Sequence, residues 1–321
     1  MDTAANQTRR YPHYEFYKKR VDDIIQYYIR ESTEDTFKPL IEYALQGGKR
    51  IRSSIALSLI DSRLKAQIAN ASEQIETRNA IAAIEMTCLA TELLHSASLI
   101  LDDLPCMDDD HTRRGLPCFH AKFGIATSIL TTCHLFTESI RLCCKAYFAI
   151  NTLKLTCLDN IIKFIEIIST SIGFNGACGG QFMDLQGIEA SSSSSSASSS
   201  ELRKVLLQKT SSFFRIAILG AYLITESRPV STEDLKKLEN MSDLLGIVFQ
   251  TYDDFDDLIE DEGKFNCVLD EGAEESYKKF ISNMKDVEKC LKEMNLDAEV
   301  IHDVELVMKC HIEEMMRMNL Q

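Results

Sequence analysis

No tryptophan occurs in the 321 residues, and proline and glycine are scarce, at 5 and 13. So few chain breakers exclude a turn-rich all-β protein. Basic residues are also in deficit: 35 Lys and Arg face 49 Asp and Glu, a net charge of −14. Such a chain lacks the basic face that sequence-independent nucleic-acid binding needs. It can still take a phosphate ligand if metal ions stand between acid and phosphate. No C-x-x-C pair occurs among the 11 cysteines, which are scattered through apolar segments (Cys88, Cys133, Cys143, Cys144). They read as small buried hydrophobes in a reducing compartment, neither a zinc site nor a disulfide framework. No uninterrupted apolar run reaches the ~18 residues of a membrane span, and residues 1–20 carry no apolar stretch of secretory type. The expectations are no membrane span and a cytoplasmic location.

What is present is helical periodicity. Apolar residues recur at three- and four-residue spacings over 13–31, 35–46, 49–65, 76–104, 124–149, 154–172, 201–225, 232–260 and 272–320. No alternating β pattern stands out. With 45% hydrophobic residues, the chain can bury a large core. The pattern predicts an all-α helical bundle built as a single domain over 1–321. Within it, the stretch 190–200 is nearly all serine, cannot bury apolar surface and is predicted to be a disordered surface loop.

Two acidic clusters each follow an apolar helical stretch. The first holds Asp102, Asp103, Asp108, Asp109 and Asp110; the second holds Asp253, Asp254, Asp256 and Asp257. Acids at the C-terminal end of a helix oppose its macrodipole, and so many together repel one another. A multivalent cation turns that repulsion into coordination. One cluster alone reads as a solvated, frayed helix end; two of the same kind favour metal. Asp253 and Asp257 are four apart and share a helix face. Asp102 and Asp108 are six apart and would not share one on an unbroken helix. Pro105 clashes with the carbonyl of Leu101, so a bulge over Leu104–Met107 can bring Asp108 back beside Asp102. An EF-hand is excluded, because the sixth position from Asp108 is Arg113, where that loop needs glycine. Hard oxygen donors of this kind favour Mg²⁺.

Cations accompany the acids. Lys49 and Arg52 follow Gly47-Gly48 at a helix start, and Arg113-Arg114 follows the first cluster. His95 lies two helical turns before Asp102 on the same face, and Lys209-Thr210 sits on a third helix. Each alone is an ordinary surface charge, and Gly47-Gly48 alone is a helix C-cap. As a set in an acidic chain they point to anion binding.

These residues resemble the trans-isoprenyl diphosphate (polyprenyl) synthases. The matching features are Gly47-Gly48-Lys49-Arg50-Ile51-Arg52, the run Leu93-Leu94-His95 to Asp102-Asp103, then Asp108 and Arg113-Arg114-Gly115. They continue through Gly180-Gln181-Phe182-Met183-Asp184-Leu185 and Lys209-Thr210 to Phe249-Gln250 and Asp253–Asp257, in the family's order. Four residues between Asp103 and Asp108 resemble the geranylgeranyl diphosphate synthases of plants and bacteria. The resemblance implies an all-α isoprenoid synthase-type bundle around a deep central cavity, usually a homodimer. It implies that Asp102, Asp108, Asp253 and Asp257, with Asp103 in support, hold about three Mg²⁺ ions that grip an allylic diphosphate. Arg113, Lys209, Thr210 and Gln250 would engage the same allylic group, with Lys264 standing in for a family lysine. Lys49, Arg52, His95 and Arg114 would bind isopentenyl diphosphate. Ionisation of the allylic C–O bond would then let the isopentenyl double bond attack, with the departing diphosphate as base and carbonyl oxygens near Lys209-Thr210 steadying the cation.

In that family, bulky aromatics at the fourth and fifth positions before the first Asp shorten the product. Here those positions are Ser98 and Ala97, with Leu94 one turn further back, so geranylgeranyl diphosphate is the expected product and geranylfarnesyl diphosphate the alternative. The family's basic Gly-Lys loop after the second acidic motif is shorter and acidic here, over 258–264. That departure is the feature favouring a regulatory subunit that pairs with an active synthase. A terpene cyclase of the same fold normally carries an Asn/Ser/Glu second motif, which Asp253–Asp257 is not.

Overall fold

The structure, a computed structural model, describes residues 11–32, 34–70, 75–150, 156–190, 199–256, 258, 266–296 and 299–319. In chain order the elements are α1 (Pro12–Ser32), α2 (Lys38–Leu45), α3 (Ile51–Asn70), α4 (Ile75–Asp102), β1 (Thr112–Arg113), β2 (Leu116–Pro117), α5 (Phe119–Phe123) and α6 (Ile125–Ile150). There follow α7 (Leu158–Ile172), α8 (Ala177–Ala190), α9 (Ser199–Ile224), α10 (Thr232–Asp256), α11 (Cys267–Glu271), α12 (Ala273–Glu293) and α13 (Glu299–Asn319). The all-α fold expected from the periodicity is what forms.

The chain divides into two compact units. One comprises Phe16–Ile168 and Gly220–Val230. Its spine is α4, packed most extensively on α6 and next on α3. Leu89, Leu93, Leu94 and Ala97 of α4 are fully buried, and so are Thr91 and Ser96 on its other faces. A helix apolar nearly all round is a core helix. Arg20 of α1 braces it by pairing with Asp61 of α3 and Glu85 of α4. Asn160 donates to the carbonyls of Glu226 and Arg228, at 2.7 and 2.8 Å, and so satisfies the backbone where the chain turns after α9.

The other unit comprises Met1–Glu15, Ser169–Leu219 and Ser231–Gln321. Its spine is α10, which packs on α12 and α13. At Gly246 the backbone of α10 approaches α9 so closely that a Cβ would stand 2.1 Å from Ser211 Oγ and 2.9 Å from Ser211 Cα. A bidentate pair, Arg215 to Asp243 at 2.8 Å through both oxygens, locks the same two helices one turn away. Asp303 of α13 accepts from the backbone N–H groups of His13 and Tyr14, at 2.8 and 2.9 Å, and so caps the first turn of α1.

Four features depart from the expectations. Helix α8 lies between the stretches 154–172 and 201–225, where the apolar spacing shows no helix. A Cβ at Gly179 would lie 1.9 Å from the Phe174 carbonyl oxygen, so glycine there permits a tight helix entry. The stretch 272–320 is two helices, because Asn295 takes a left-handed φ of 51° between α12 and α13. The serine tract is narrower than 190–200, since α8 runs to Ala190 and α9 starts at Ser199; residues 191–198 lie outside the described residues. Two segments, Ile81–Asp102 and Leu158–Met183, have the length and composition of a membrane span although no uninterrupted apolar run was found. The first is a core helix, 67% buried over its apolar window. The second, 33% buried, is not one helix, because α7 and α8 are separate elements within it.

Replacing Gly246 by alanine tests the α9–α10 approach. In open space that change would stabilise a helix by up to ~1 kcal/mol. Against Ser211 it is expected to destabilise by about 1–3 kcal/mol, read as a lower midpoint of thermal unfolding. A raised midpoint would show that the helices have room to part.

Candidate functional site

In the unit built on α4, the first acidic cluster is shaped by where its helix stops. Leu104 N–H donates to the Leu101 carbonyl at 3.1 Å, a tightened last turn, and Pro105 follows. The chain then folds back, and the Asp108 N–H donates to the carbonyl of Asp102 at 2.9 Å. The expected bulge therefore brings Asp108 beside Asp102. Asp102 is half-buried and Asp108 exposed, whereas Asp103 is only 3% exposed.

Asp103 points inward to protein partners. It accepts from Arg113 Nε at 2.5 Å, while Arg113 Nη2 donates to Asp110 at 2.9 Å. One guanidinium thus joins two acids of the cluster. The Cys118 thiol lies against the same carboxylate, and burial together with Asp103 pushes it up to about 12. His120 Nε2 donates to the Asp110 carbonyl at 2.9 Å, closing the loop from its far side.

A small hairpin, unforeseen in the sequence, presents Arg114. Thr112 pairs with Pro117 and Arg113 with Leu116. Arg114 and Gly115, at φ 54° and 75°, form the two-residue turn, the conformation whose twist suits a hairpin. The Arg114 guanidinium reaches over the 46–48 loop: Nη1 donates to the Gln46 carbonyl at 3.3 Å, and a Cβ on Gly48 would meet it at 3.0 Å. Lys49 is exposed and Arg52 half-buried in the same unit. Burial, and then the charges of Arg52, Arg114, Arg50 and Arg113, hold the His95 imidazole well below its usual range. Four guanidinium groups thus bear on one neutral histidine, and two of them, Arg50 and Arg113, are themselves paired with carboxylates. Of the expected chain-length residues, Leu94 and Ala97 are buried in α4, and the Ser98 hydroxyl donates back to the His95 carbonyl at 2.9 Å.

In the unit built on α10, the second cluster follows the same plan. Asp253 is half-buried, whereas Asp254 is 3% exposed and internally bonded. Asp254 accepts from Gln250 Nε2 at 2.7 Å and from the Cys267 N–H at 2.9 Å. Gln250 Oε1 in turn accepts from the Thr210 hydroxyl at 3.0 Å. The close approach at Gly246 sets α9 against α10 one turn earlier, so Thr210, Gln250 and Asp254 form one chain. Asn266 anchors its end, donating to the Asp254 carbonyl at 2.8 Å and capping α11 through the N–H groups of Val268 and Leu269. Lys209 is half-buried next to Thr210. Asp256 is bonded to His311 of α13 at 3.0 Å. Asp257 and Lys264 lie outside the described residues.

Two expected substrate contacts also make internal bonds. Arg113 ties Asp103 to Asp110, and Gln250 ties Thr210 to Asp254. Cys118, Asn266 and His311 are not among the residues the sequence points to. Only Asn266 carried a signal, as an Asn directly before a short apolar run.

Comparison with known proteins gives a consistent result. The polyprenyl synthetase family model matches residues 34–277. A farnesyl diphosphate synthase of Buchnera aphidicola subsp. Acyrthosiphon pisum is 31% identical over 255 residues, 78% of this chain and 81% of that one. A farnesyl diphosphate synthase of Bacillus subtilis is 29% identical over 249 residues, 77% of this chain and 75% of that one. Geranylgeranyl pyrophosphate synthase 6 of Arabidopsis thaliana is 31% identical over 65% of this chain and 56% of its own. In fold, the chain is similar to a geranyltransferase of Legionella pneumophila, with a TM-score of 0.74, 22% identity and 95% and 99% of the two chains covered. It is also similar to an FPP/GFPP synthase of Zymomonas mobilis, with a TM-score of 0.70, 22% identity and coverage of 97% and 100%. The chain belongs to the polyprenyl synthetase family, whose members elongate prenyl chains.

The neutral His95 makes a testable demand. The unfolded His95 takes up a proton below about pH 6.5, while the folded one does not. Its contribution therefore lowers stability as pH falls through that value and is absent above it. In His95→Gln the free energy of unfolding is expected to fall less than in the parent between about pH 7 and pH 5. Equal slopes would mean that His95 is not held neutral.

Proposed function

We propose that the chain is an isoprenyl diphosphate synthase that condenses isopentenyl diphosphate with allylic diphosphates, ending at geranylgeranyl diphosphate. The observation that carries this reading is the shared construction of the two acidic clusters. In each, the second Asp is buried on protein donors, Asp103 on Arg113 and Asp254 on Gln250 and the Cys267 N–H, while the first remains closer to solvent.

The donor set fits Mg²⁺: carboxylate oxygens with no sulfur or imidazole among them. Asp102, Asp108, Asp253 and Asp257 would hold about three ions, which supply charge neutralisation for the allylic diphosphate. Asp103 and Asp254 orient their clusters from behind. Lys209 and Thr210 stand on α9, where Lys209 would carry positive charge to the leaving diphosphate and nearby carbonyls would face the developing cation. Lys264 would add a second cation to that group. Lys49, Arg52, His95 and Arg114 would hold isopentenyl diphosphate; a neutral His95 can donate one hydrogen bond without adding charge. The residues needed come from stretches 49–114 and 209–257, so we read the chain as one trans-prenyltransferase domain.

Product length rests on Leu94, Ala97 and Ser98. Two small side chains at these positions support geranylgeranyl diphosphate over farnesyl diphosphate, and the small Ala97 is the specific feature favouring geranylfarnesyl diphosphate as a second reading. A homodimer is supported by α6, which exposes Ile129, Ile140 and Phe148 along one face, 45%, 37% and 75% accessible.

The experiment is product analysis with isopentenyl diphosphate, each allylic diphosphate and Mg²⁺. Geranylgeranyl diphosphate is expected from the parent, and nothing in the presence of a chelator. Asp102→Ala and Asp253→Ala should each cost at least ~10²-fold in rate. Ala97→Phe should shift the product toward farnesyl diphosphate at similar ionisation rate. An unchanged product would remove Ala97 from the chain-length role, and an inactive parent would favour the regulatory subunit.

A further inference from the structure

The functional reading leaves out Arg50, the residue between Lys49 and Ile51. Its neighbours at 49 and 52 are exposed and half-buried, yet its own side chain is 3% exposed. The guanidinium turns into the protein and is fully engaged there. Nη1 donates to Glu92 at 2.9 Å, Nε donates to Asp22 at 3.0 Å, and Nη2 donates to the Leu45 carbonyl. Glu92 is 5% exposed on its side chain, and its other oxygen accepts from the Ser53 hydroxyl at 2.8 Å. Both carboxylate oxygens and all three guanidinium nitrogens therefore have partners, as a buried pair requires.

The backbone at this point is equally unusual. Arg50 has φ 54°, following Gly47 at 70° and Gly48 at 102°. The glycines take this conformation freely, but a residue with a Cβ does so only when its surroundings hold it there. The three bonds of the guanidinium are what hold Arg50. Its side chain points inward, which sends Lys49 outward from the same turn. Helix α3 then begins at Ile51, with Arg52 in its first turn. Glu92 stands on α4 three residues before His95, and residues at that spacing lie on the same helix face. One buried ion pair thus links the turn carrying Lys49 and Arg52 to the helix carrying His95.

We infer that the Arg50–Glu92 pair is the positioning element of the isopentenyl diphosphate site. It touches no substrate and fixes the strained turn on which Lys49 and Arg52 are presented to the same diphosphate as His95. This rests on the functional reading above and deepens it. Small errors in placing phosphate-binding cations are costly, because charge-assisted bonds depend on geometry.

The test compares the parent with Glu92→Gln and with the double variant Arg50→Met/Glu92→Leu. The double variant replaces a buried ion pair by apolar groups of similar volume, a change that commonly preserves stability. Binding of isopentenyl diphosphate is measured by calorimetry, and KM is measured for both substrates. In the double variant, with the thermal midpoint near that of the parent, Kd and KM for isopentenyl diphosphate are expected to rise about tenfold or more while KM for the allylic diphosphate changes less than about twofold. Glu92→Gln should show the same split at a lower thermal midpoint. A folded double variant that binds isopentenyl diphosphate as the parent does would overturn the inference, because the pair would then serve stability alone. An equal rise in both KM values would overturn it as well. A parent that fails to bind isopentenyl diphosphate would instead overturn the functional reading on which the inference stands.

Discussion

Like charges at the wrong end of a helix are the constraint around which both acidic clusters are built. Helix α4 ends on Asp102 and helix α10 on Asp256, each within a run of carboxylates. The C-terminal end of a helix already carries partial negative charge, so these acids add to an unfavourable field. The protein answers by tethering several of them internally. Arg113 bridges Asp103 and Asp110, Gln250 and the Cys267 N–H serve Asp254, and His311 serves Asp256. These tethered acids hold the shape of each cluster, while Asp102, Asp108 and Asp253 keep surface that a cation can reach.

A complementary constraint acts on the cationic side. Burial, and after it the charges of Arg52, Arg114, Arg50 and Arg113, hold His95 neutral. Such a group of arginines stands out in a chain of net charge −14. It is kept by interactions that cost conformational freedom. Arg114 stands at a left-handed φ in a hairpin turn, and Arg50 stands at another, braced by a buried glutamate.

Much of this was legible in the sequence because it follows from local rules. The long helices announced themselves by apolar spacing, and the return of Asp108 to Asp102 followed from the steric effect of Pro105. What escaped depended on close approach or on long-range partners. Gly176 and Gly179 are where backbone meets backbone at the entry to α8, a contact that apolar spacing does not show. Arg114-Gly115 is a hairpin turn whose flanking strands have only two residues each, too few to show alternation. Within each Asp-Asp pair, the sequence could not say which carboxylate faces inward. That choice is made by Arg113 across a hairpin, and by the backbone of Cys267, thirteen residues beyond Asp254. For the same reason Arg50 looked like one more member of a basic run, although its partner Glu92 lies 42 residues away.

The central claim is that the acids left accessible in the two clusters wait for cations that arrive with a diphosphate. Calorimetric titration of a non-hydrolysable allylic diphosphate analogue, with Mg²⁺ and again with chelator, tests it without relying on turnover. Mutual dependence of cation and anion predicts affinity at least about tenfold tighter with Mg²⁺. Equal affinity in the presence of chelator would contradict the account, since the analogue would then be held by the arginines and lysines alone.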